Sequence, residues 1–415
     1  MQQRRVAVTG LGLVSPFGGD LEDFFARLLA GESALRHLHM EGVPSVLSLP
    51  FVSCQGFDAE QELGKPLTLM MERFAHLGLV AALRAWSDAG LARQAQEDRS
   101  SWGCIWGTAL GGLQAFERGY KDIWLNGRKR LSPLSVVMGM NNAVNAHISM
   151  QLALGGVSTN HTAACASSQI AIGEAFRRIR AGDAQLIVTG GSDATQTYGV
   201  IQAWQAMRMI APGEGDAAAW ACRPFAQNRA GLVLGEGGAA LVLEDWEHAR
   251  ARGARIYAEM VGYGASCDHV HLVRPQVDGQ ARALHAALAD AGLQPDDVGY
   301  VNAHGTATLE GDPVEVQALR QVFGAHAPGL AVSATKSMHG HLLGAAGAIE
   351  TLITVLCLQR QAIVPTAHLA GRLDASCEGV DHVLEARSGV PLRAALSNSF
   401  AFGGSNAVLA LRAAH

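Results

Sequence analysis

Ser158-Thr-Asn-His-Thr-Ala-Ala-Cys165-Ala-Ser-Ser-Gln-Ile-Ala-Ile-Gly-Glu-Ala-Phe176 falls into two chemically different parts. Small and polar residues lead up to Cys165. Beyond it, Ile170, Ile172, Ala175, Phe176 and Ile179 recur at roughly helical spacing, with Arg177, Arg178 and Arg180 between them. The pattern puts Cys165 at or just before a helix N-terminus, where unpaired N–H groups and the helix dipole favour negative charge. A free thiol has a pKa of about 8.5, and such a setting draws it towards the thiolate. A lone cysteine among alanines also reads as a small buried hydrophobe. The rest of the chain decides between the two.

Working outward, the alternation of short apolar runs with amphipathic stretches predicts an α/β protein. A buried strand over 4–13 is followed by helices over 20–31 and 70–91, with an irregular Pro- and Ser-rich stretch to about 66. The run from Trp102 ends in Gly107-Thr-Ala-Leu110-Gly-Gly112, a tight turn of close backbone approach. Helices over 113–126 and 195–209 and strands over 185–191 and 238–244 complete this part. Near residue 250 the pattern begins again: strands over 256–262, 299–303, 331–335, 394–399 and 407–411, and helices over 279–291, 312–323 and 342–358. Strands alternating with helices in both parts imply two similar halves, 1–253 and 254–415, with buried sheets.

A chain of 415 residues with 49% apolar and 17% charged residues has enough apolar sequence for a large core. A net charge of −5 gives no global attraction to nucleic acid, so any anionic partner must meet a local basic patch. Seven cysteines, an odd number without a Cys-x-x-Cys pair, argue against a disulfide framework and for a reducing, cytoplasmic setting. No run reaches the ~18 uninterrupted apolar residues of a membrane span.

Two later stretches carry histidines among small residues. Tyr300-Val-Asn302-Ala-His304-Gly-Thr306-Ala-Thr308-Leu-Glu-Gly-Asp312 puts His304 at a strand end. Ser333-Ala-Thr-Lys336-Ser-Met-His339-Gly-His341-Leu-Leu-Gly-Ala-Ala-Gly-Ala-Ile-Glu350 puts His341 at a helix start. Strand ends facing helix starts are where open α/β folds build sites. Each histidine alone could be structural. Metal binding competes too, because His339-Gly-His341 and His269-Val-His271 are His-x-His pairs, but no Cys-x-x-Cys or His-Glu-x-x-His motif accompanies them.

Together the three stretches resemble the β-ketoacyl-acyl-carrier-protein synthases of type II, elongating condensing enzymes of the thiolase superfamily. The resemblance runs nearly end to end, from Val8-Thr-Gly-Leu-Gly-Leu-Val-Ser-Pro16 to Asn398-Ser-Phe-Ala-Phe-Gly-Gly-Ser-Asn406. It implies a thiolase-like fold, five-layered αβαβα, with two pseudo-symmetric halves, forming a homodimer or a ketosynthase heterodimer. The implied reaction is decarboxylative condensation of an acyl-enzyme thioester with a malonyl thioester on an acyl carrier protein, in fatty-acid, polyketide or polyene chain building. Cys165 would carry the acyl group, and its N–H and that of Phe402 would hold the oxyanion. His304 and His341 would stabilise the enolate, supported by Lys336 and Glu350. Thr306 and Thr308 would bind the pantetheine arm, and Phe400, Gly403 and Leu110 would contact substrate. Lys65, Arg128, Lys129, Arg130 and Arg208 would dock the carrier. Asn302, Glu350 and Asn398 would hold a structural monovalent cation, and no organic cofactor is called for.

The chain departs from the family pattern in places. Ala401 stands where the gating loop has Gly, Leu309 where Pro is usual, and His339 where Thr is commoner. Ser132-Pro-Leu134-Ser135-Val-Val-Met138 lacks the aromatics typical of the acyl-pocket floor, which suggests a longer or wider cavity. With glycines needed to absorb the φ/ψ change of a gate, Ala401 leaves the loop either to pivot about Gly403 and Gly404 alone or to rest in a more open state. Thiolases use a second Cys, and initiating condensing enzymes pair Cys and His with Asn. A chain-length-factor-like, non-catalytic partner would lack the nucleophile that Cys165 supplies.

Overall fold

The computed structural model describes residues 3–40, 44–94 and 97–414. The alternation resolves into two successive sets of five strands. The first comprises Val6–Val14 (β1), Trp102–Gly107 (β2), Ser158–His161 (β3), Leu186–Asp193 (β4) and Gly237–Asp245 (β5). The second comprises Ala258–Cys267 (β6), Val298–Asn302 (β7), Ala331–Ser333 (β8), Ala394–Phe400 (β9) and Ser405–Ala413 (β10). In space the first set runs β1-β5-β4-β2-β3 and the second β6-β10-β9-β7-β8, with the short strand Asp381–His382 beyond β8.

Strand directions repeat with the order. In the first set β1–β5 and β5–β4 are antiparallel, while β4–β2 and β2–β3 are parallel. In the second, β6–β10 and β10–β9 are antiparallel, and β9–β7 and β7–β8 are parallel. The two sets are therefore one motif used twice, joined where Val6–Val8 pair with Ala258–Met260.

Helices complete the layers. Arg73–Asp88 (α1) covers β1, β5 and β4 on one outer face, and Val277–Ala291 (α3) covers β6 and β10 on the other. Ser167–Ala181 (α2) and Ala346–Arg360 (α4) pack on each other and touch strands of both sets. The stacking is helix, sheet, helices, sheet, helix, the five-layered αβαβα arrangement. The stretch Leu343–Arg360 has the length and hydropathy of a membrane span, but it is 89% buried between the sheets, and its apolar surface is protein core.

The structure differs from the sequence reading locally, and an unforeseen helix, Ala143–Leu152, is one such place. The stretch to residue 66 contains a hairpin, Arg36–Met40 with Leu47–Phe51, whose Leu47, Leu49 and Phe51 point inward. The helix expected from 70 begins at Arg73, because the four-residue helix Lys65–Thr68 turns the chain into it. The helix expected from 342 begins at Ala346, since Gly340 and Leu343 both have positive φ (69° and 47°) and hold His341 in an extended bridge to Leu234.

Candidate active site

Cys165 lies in the turn that opens α2. Ala164, just before it, has φ 47°, a left-handed conformation that costs a non-glycine residue energy. Ser167 holds this turn: its Oγ accepts from Ala163 N (2.9 Å) and donates to Ala164 O (2.7 Å). The end of β2 packs so closely behind that a Cβ on Gly107 would fall 2.3 Å from Ser168 N.

The two histidines come from the second half. His304 ends the loop out of β7, where Glu315 accepts from the N–H groups of His304 and Gly305, both at 2.8 Å. His341 is pinned through its backbone to Val233 and Gly235. The ring centroids lie 5.6 Å apart at 85°, and His341 Nε2 is 3.0 Å from Cys165 Sγ. The thiol and one nitrogen of each ring all lie within 4.8 Å of one another.

Neighbouring donors assign the tautomers. Leu343 N–H donates to His341 Nδ1 (3.2 Å), so the ring hydrogen sits on Nε2 and points at the sulfur. Lys336 Nζ lies 3.4 Å from His304 Nδ1, and its ammonium can only donate, so His304 also carries its hydrogen on Nε2. Burial, and then the Lys336 charge, hold both imidazoles well below the ordinary histidine range. At neutral pH they are two uncharged imidazoles, each with its hydrogen on Nε2, held close to the Cys165 sulfur.

The same assignment argues against a transition metal on this triad. A ligating Nε2 would need its hydrogen moved to Nδ1, where Leu343 N–H and the Lys336 ammonium already donate. The His-x-His pairs do not form a centre either. His339 is turned away, its Nε2 on Thr335 Oγ1 and its Nδ1 on Gly340 O, both at 2.9 Å. His271 uses Nδ1 to accept from Val273 N and Arg274 N.

Lys336 and Glu350 form a fully buried ion pair, and Lys336 Nζ also donates to His304 O at 2.6 Å. Burial pushes the Glu350 carboxyl up to about 7 against the pull of Lys336. Asn302 Nδ2 donates to Glu350 O (3.3 Å) and Asn398 Nδ2 to Glu315 Oε1 (3.2 Å). That leaves Asn302 Oδ1, Asn398 Oδ1, Ser399 Oγ and Glu350 Oε2 buried without partners among the described residues. Such an all-oxygen donor set, with one carboxylate, fits a hard monovalent cation.

The thiolate expectation is corrected. Burial pushes the Cys165 thiol up to about 12, outweighing the Lys336 charge that draws it down. Cys165 is a neutral thiol at rest. Its alkylation by iodoacetamide should still accelerate from pH 8 to pH 9.5; a plateau below pH 8 would mean a preformed thiolate.

A cavity of about 310 Å³ leads to Cys165, lined among others by Thr306, Thr308, Arg208, Phe400 and Phe402. Phe402 stacks on Trp204, 5.9 Å between centroids at 24°. Leu110, Leu343, Ile201, Trp204 and Ala401 share one apolar cluster with Cys165. Positive φ falls on Gly403 (85°) and Gly404 (76°) and not on Ala401, so the resting loop asks no left-handed conformation of the alanine. Ala401→Gly should therefore change the rate of Cys165 acylation by less than about tenfold, or ~1.4 kcal/mol, by stopped-flow mass analysis.

The residues expected to form a basic patch lie on different elements. Arg208 lines the cavity mouth, whereas Lys65 starts the helix Lys65–Thr68 and Arg128 pairs with Asp122 (3.0 Å) in the turn after Leu113–Trp124. Residues 132–140 do not line the cavity within one chain. There Leu134, Val136, Val137 and Met140 join Trp124 and Leu125 as exposed apolar side chains. The sequence reading assigned no role to Asp193, Asp312, Glu315 or Trp204. The carboxylates act through backbone N–H groups, which leave no motif.

A buried thiol facing two N–H-donating imidazoles, at the end of a channel in a duplicated αβαβα fold, defines a thiol acyltransferase of the condensing type. The chain belongs to the beta-ketoacyl synthase family. The family's N-terminal domain pattern matches residues 3–249 and its C-terminal domain pattern residues 257–370. The chain is 39% identical to Nodulation protein E of Rhizobium sp. (strain N33) over 99% of both chains. It is 38% identical to 3-oxoacyl-[acyl-carrier-protein] synthase 2 of Staphylococcus aureus (strain COL), again over 99% of both. A crystal structure of a beta-ketoacyl synthase from Burkholderia phymatum STM815 superposes with TM-score 0.91 at 33% identity, covering 99% of this chain and all of that one.

Proposed function

We propose that the chain elongates acyl chains by decarboxylative condensation, taking both substrates as thioesters of an acyl carrier protein. The observation that carries this reading is the pair of neutral imidazoles, each with its hydrogen on Nε2, held within reach of Cys165. Cys165 Sγ attacks the acyl thioester, a new C–S bond replaces the old one, and the thiol proton leaves on the departing carrier thiol. The N–H groups of Cys165 and Phe402 serve the oxyanion of this step. His304 and His341 then donate to the malonyl thioester carbonyl as the C–C bond breaks and its electron pair moves into an enolate, releasing carbon dioxide. The carbanion attacks the acyl carbon, the C–S bond to Cys165 breaks as the 3-oxoacyl product leaves, and the released thiolate takes a proton from solvent water. Lys336 and Glu350 orient His304. A monovalent cation on Asn302, Asn398 and Glu350 would fix the loop beside that pair by satisfying their inward oxygens. A purely pocket-shaping partner role accounts for none of this set.

Thr306 and Thr308, with Phe400 in the cavity lining, would contact the pantetheine arm, and Gly403 and Leu110, outside that lining, would contact substrate once the loop moves. The exposed apolar face at 124–140, beside the edge strand β3, is proposed as the seat of a second subunit, identical or a ketosynthase partner. The boundary near residue 253 between two halves and a cytoplasmic location belong to the same reading; all seven cysteines are free. Arg208 and the turn Arg128-Lys129-Arg130 are proposed to receive the acidic carrier, contributed by different subunits. Lys129→Glu with Arg130→Glu should raise KM for carrier substrates several-fold at low salt and less at high salt. An unchanged KM at low ionic strength would remove this turn from the docking site.

The test of the reaction is intact-mass analysis after mixing with acyl-loaded carrier, followed by malonyl carrier. The expected result is an acyl adduct on Cys165 that disappears as 3-oxoacyl carrier forms. No adduct with any chain length would overturn the reading.

A further inference from the structure

We propose that Asp193 is a positioning residue that ties the acyl-pocket wall at Ala109–Leu110 to the turn carrying His341. A chain lodged against Leu110 then sets the geometry of the His341–Cys165 pair. The inference rests on the condensation reading above and deepens it.

Asp193 ends β4 in the middle of the sheet and is fully buried. Its Oδ2 accepts from Ala109 N at 2.9 Å and from Gly344 N at 2.8 Å. Its Oδ1 accepts from Leu110 N at 3.2 Å and Gly111 N at 3.3 Å. One carboxylate thus gathers four N–H groups from two segments far apart in sequence, one in each half of the chain. Among the described residues no Lys or Arg side chain hydrogen-bonds to it. The four donors oppose the burial that pushes its carboxyl up to about 6, and they favour the ionised form at neutral pH.

Both ends of this link belong to the site. Leu110 shares the apolar cluster of Cys165, and so does Leu343, the residue before Gly344. Leu343 is also the residue whose N–H fixes the His341 tautomer, and its φ of 47° is a strained conformation that the surrounding packing must hold. The junction has no slack: a Cβ on Gly344 would lie 2.4 Å from both Ala109 N and Asp193 Oδ2. A displacement of Leu110 cannot be absorbed between the segments in so tight a packing, so the carboxylate passes it to the His341 turn.

The experiment measures carbon dioxide release from malonyl carrier by enzyme already acylated on Cys165 with a series of chain lengths, in the parent and in Asp193→Asn. In the parent, release should vary at least about fivefold across the series. In Asp193→Asn it should be flat within about twofold, with kcat for condensation down about tenfold or more and KM for malonyl carrier within about threefold. Gly344→Ala, which wedges the same junction without changing charge, should flatten the series too. A parent without chain-length dependence, or variants that keep the parent's dependence, would overturn the proposal. Loss of fold in both variants would do so as well, reducing Asp193 to a structural staple. A parent that never acylates Cys165 would instead sink the condensation reading, and this inference with it.

Discussion

Cys165→Ala is expected to lower condensation by at least about 10⁴-fold while leaving decarboxylation of malonyl carrier intact. The first half follows because no other thiol reaches the cluster: the remaining cysteines lie outside the set formed by Cys165, His304 and His341. The second half follows because the two Nε2–H donors owe their orientation to Leu343 and Lys336, not to the sulfur. His304→Ala and His341→Ala should show the reverse. Each should still form the acyl adduct, within about tenfold of the parent rate, and each should lose carbon dioxide release by about 10²- to 10³-fold, the usual effect of deleting one oxyanion donor. Adduct mass and carbon dioxide release measure the two halves separately. A Cys165→Ala protein that still elongates would end the nucleophile assignment, and a His variant releasing carbon dioxide at the parent rate would end that residue's role.

The pattern of what could be read in advance has a physical cause. Strands and helices alternate with different periods, so the α/β repetition was visible, and the structure gives the same strand order and directions twice. Cys165, His304 and His341 stood out because they are reactive side chains in small-residue surroundings, and Lys336 only through the resemblance. Asp193, Asp312 and Glu315 were not. Their partners are amide N–H groups of Ala109, Gly344, Phe225, Ala307, His304 and Gly305, and amides carry no sequence signature. Trp204 was hidden because it sits on the helix Tyr198–Ala206 and its partner, the Phe402 ring, on a loop far along the chain. The thiolate expectation failed for a related reason. A helix start is legible in sequence, but the burial that raises the Cys165 thiol depends on every layer packed around it.

Lys336→Met should be the other severe change, and its two consequences can be separated. Removing the ammonium leaves the fully buried Glu350 carboxyl without its partner, a loss of about 3–5 kcal/mol when the charge stays uncompensated. It also removes the donor that holds His304 Nδ1 free of hydrogen, so the ring can turn its hydrogen away from the substrate. Carbon dioxide release should fall about 10²-fold or more. The stability loss has a definite sign with pH. Glu350 already titrates near 7 in the fold, above its ordinary range, so its burial cost is absent at low pH and grows as pH rises through that window. Without Lys336 the carboxyl shifts higher still. The gap in unfolding free energy between variant and parent should therefore be small near pH 5.5 and widest near pH 8.5, by urea titration at each pH. Lys336→Met combined with Glu350→Gln has no carboxylate left to desolvate, and it should regain most of the stability at pH 8.5 without regaining decarboxylation. Recovery of activity in that double variant would show that Lys336 acts only as a structural counterion. A gap that narrowed with rising pH would show that Glu350 is not the group left exposed by its removal.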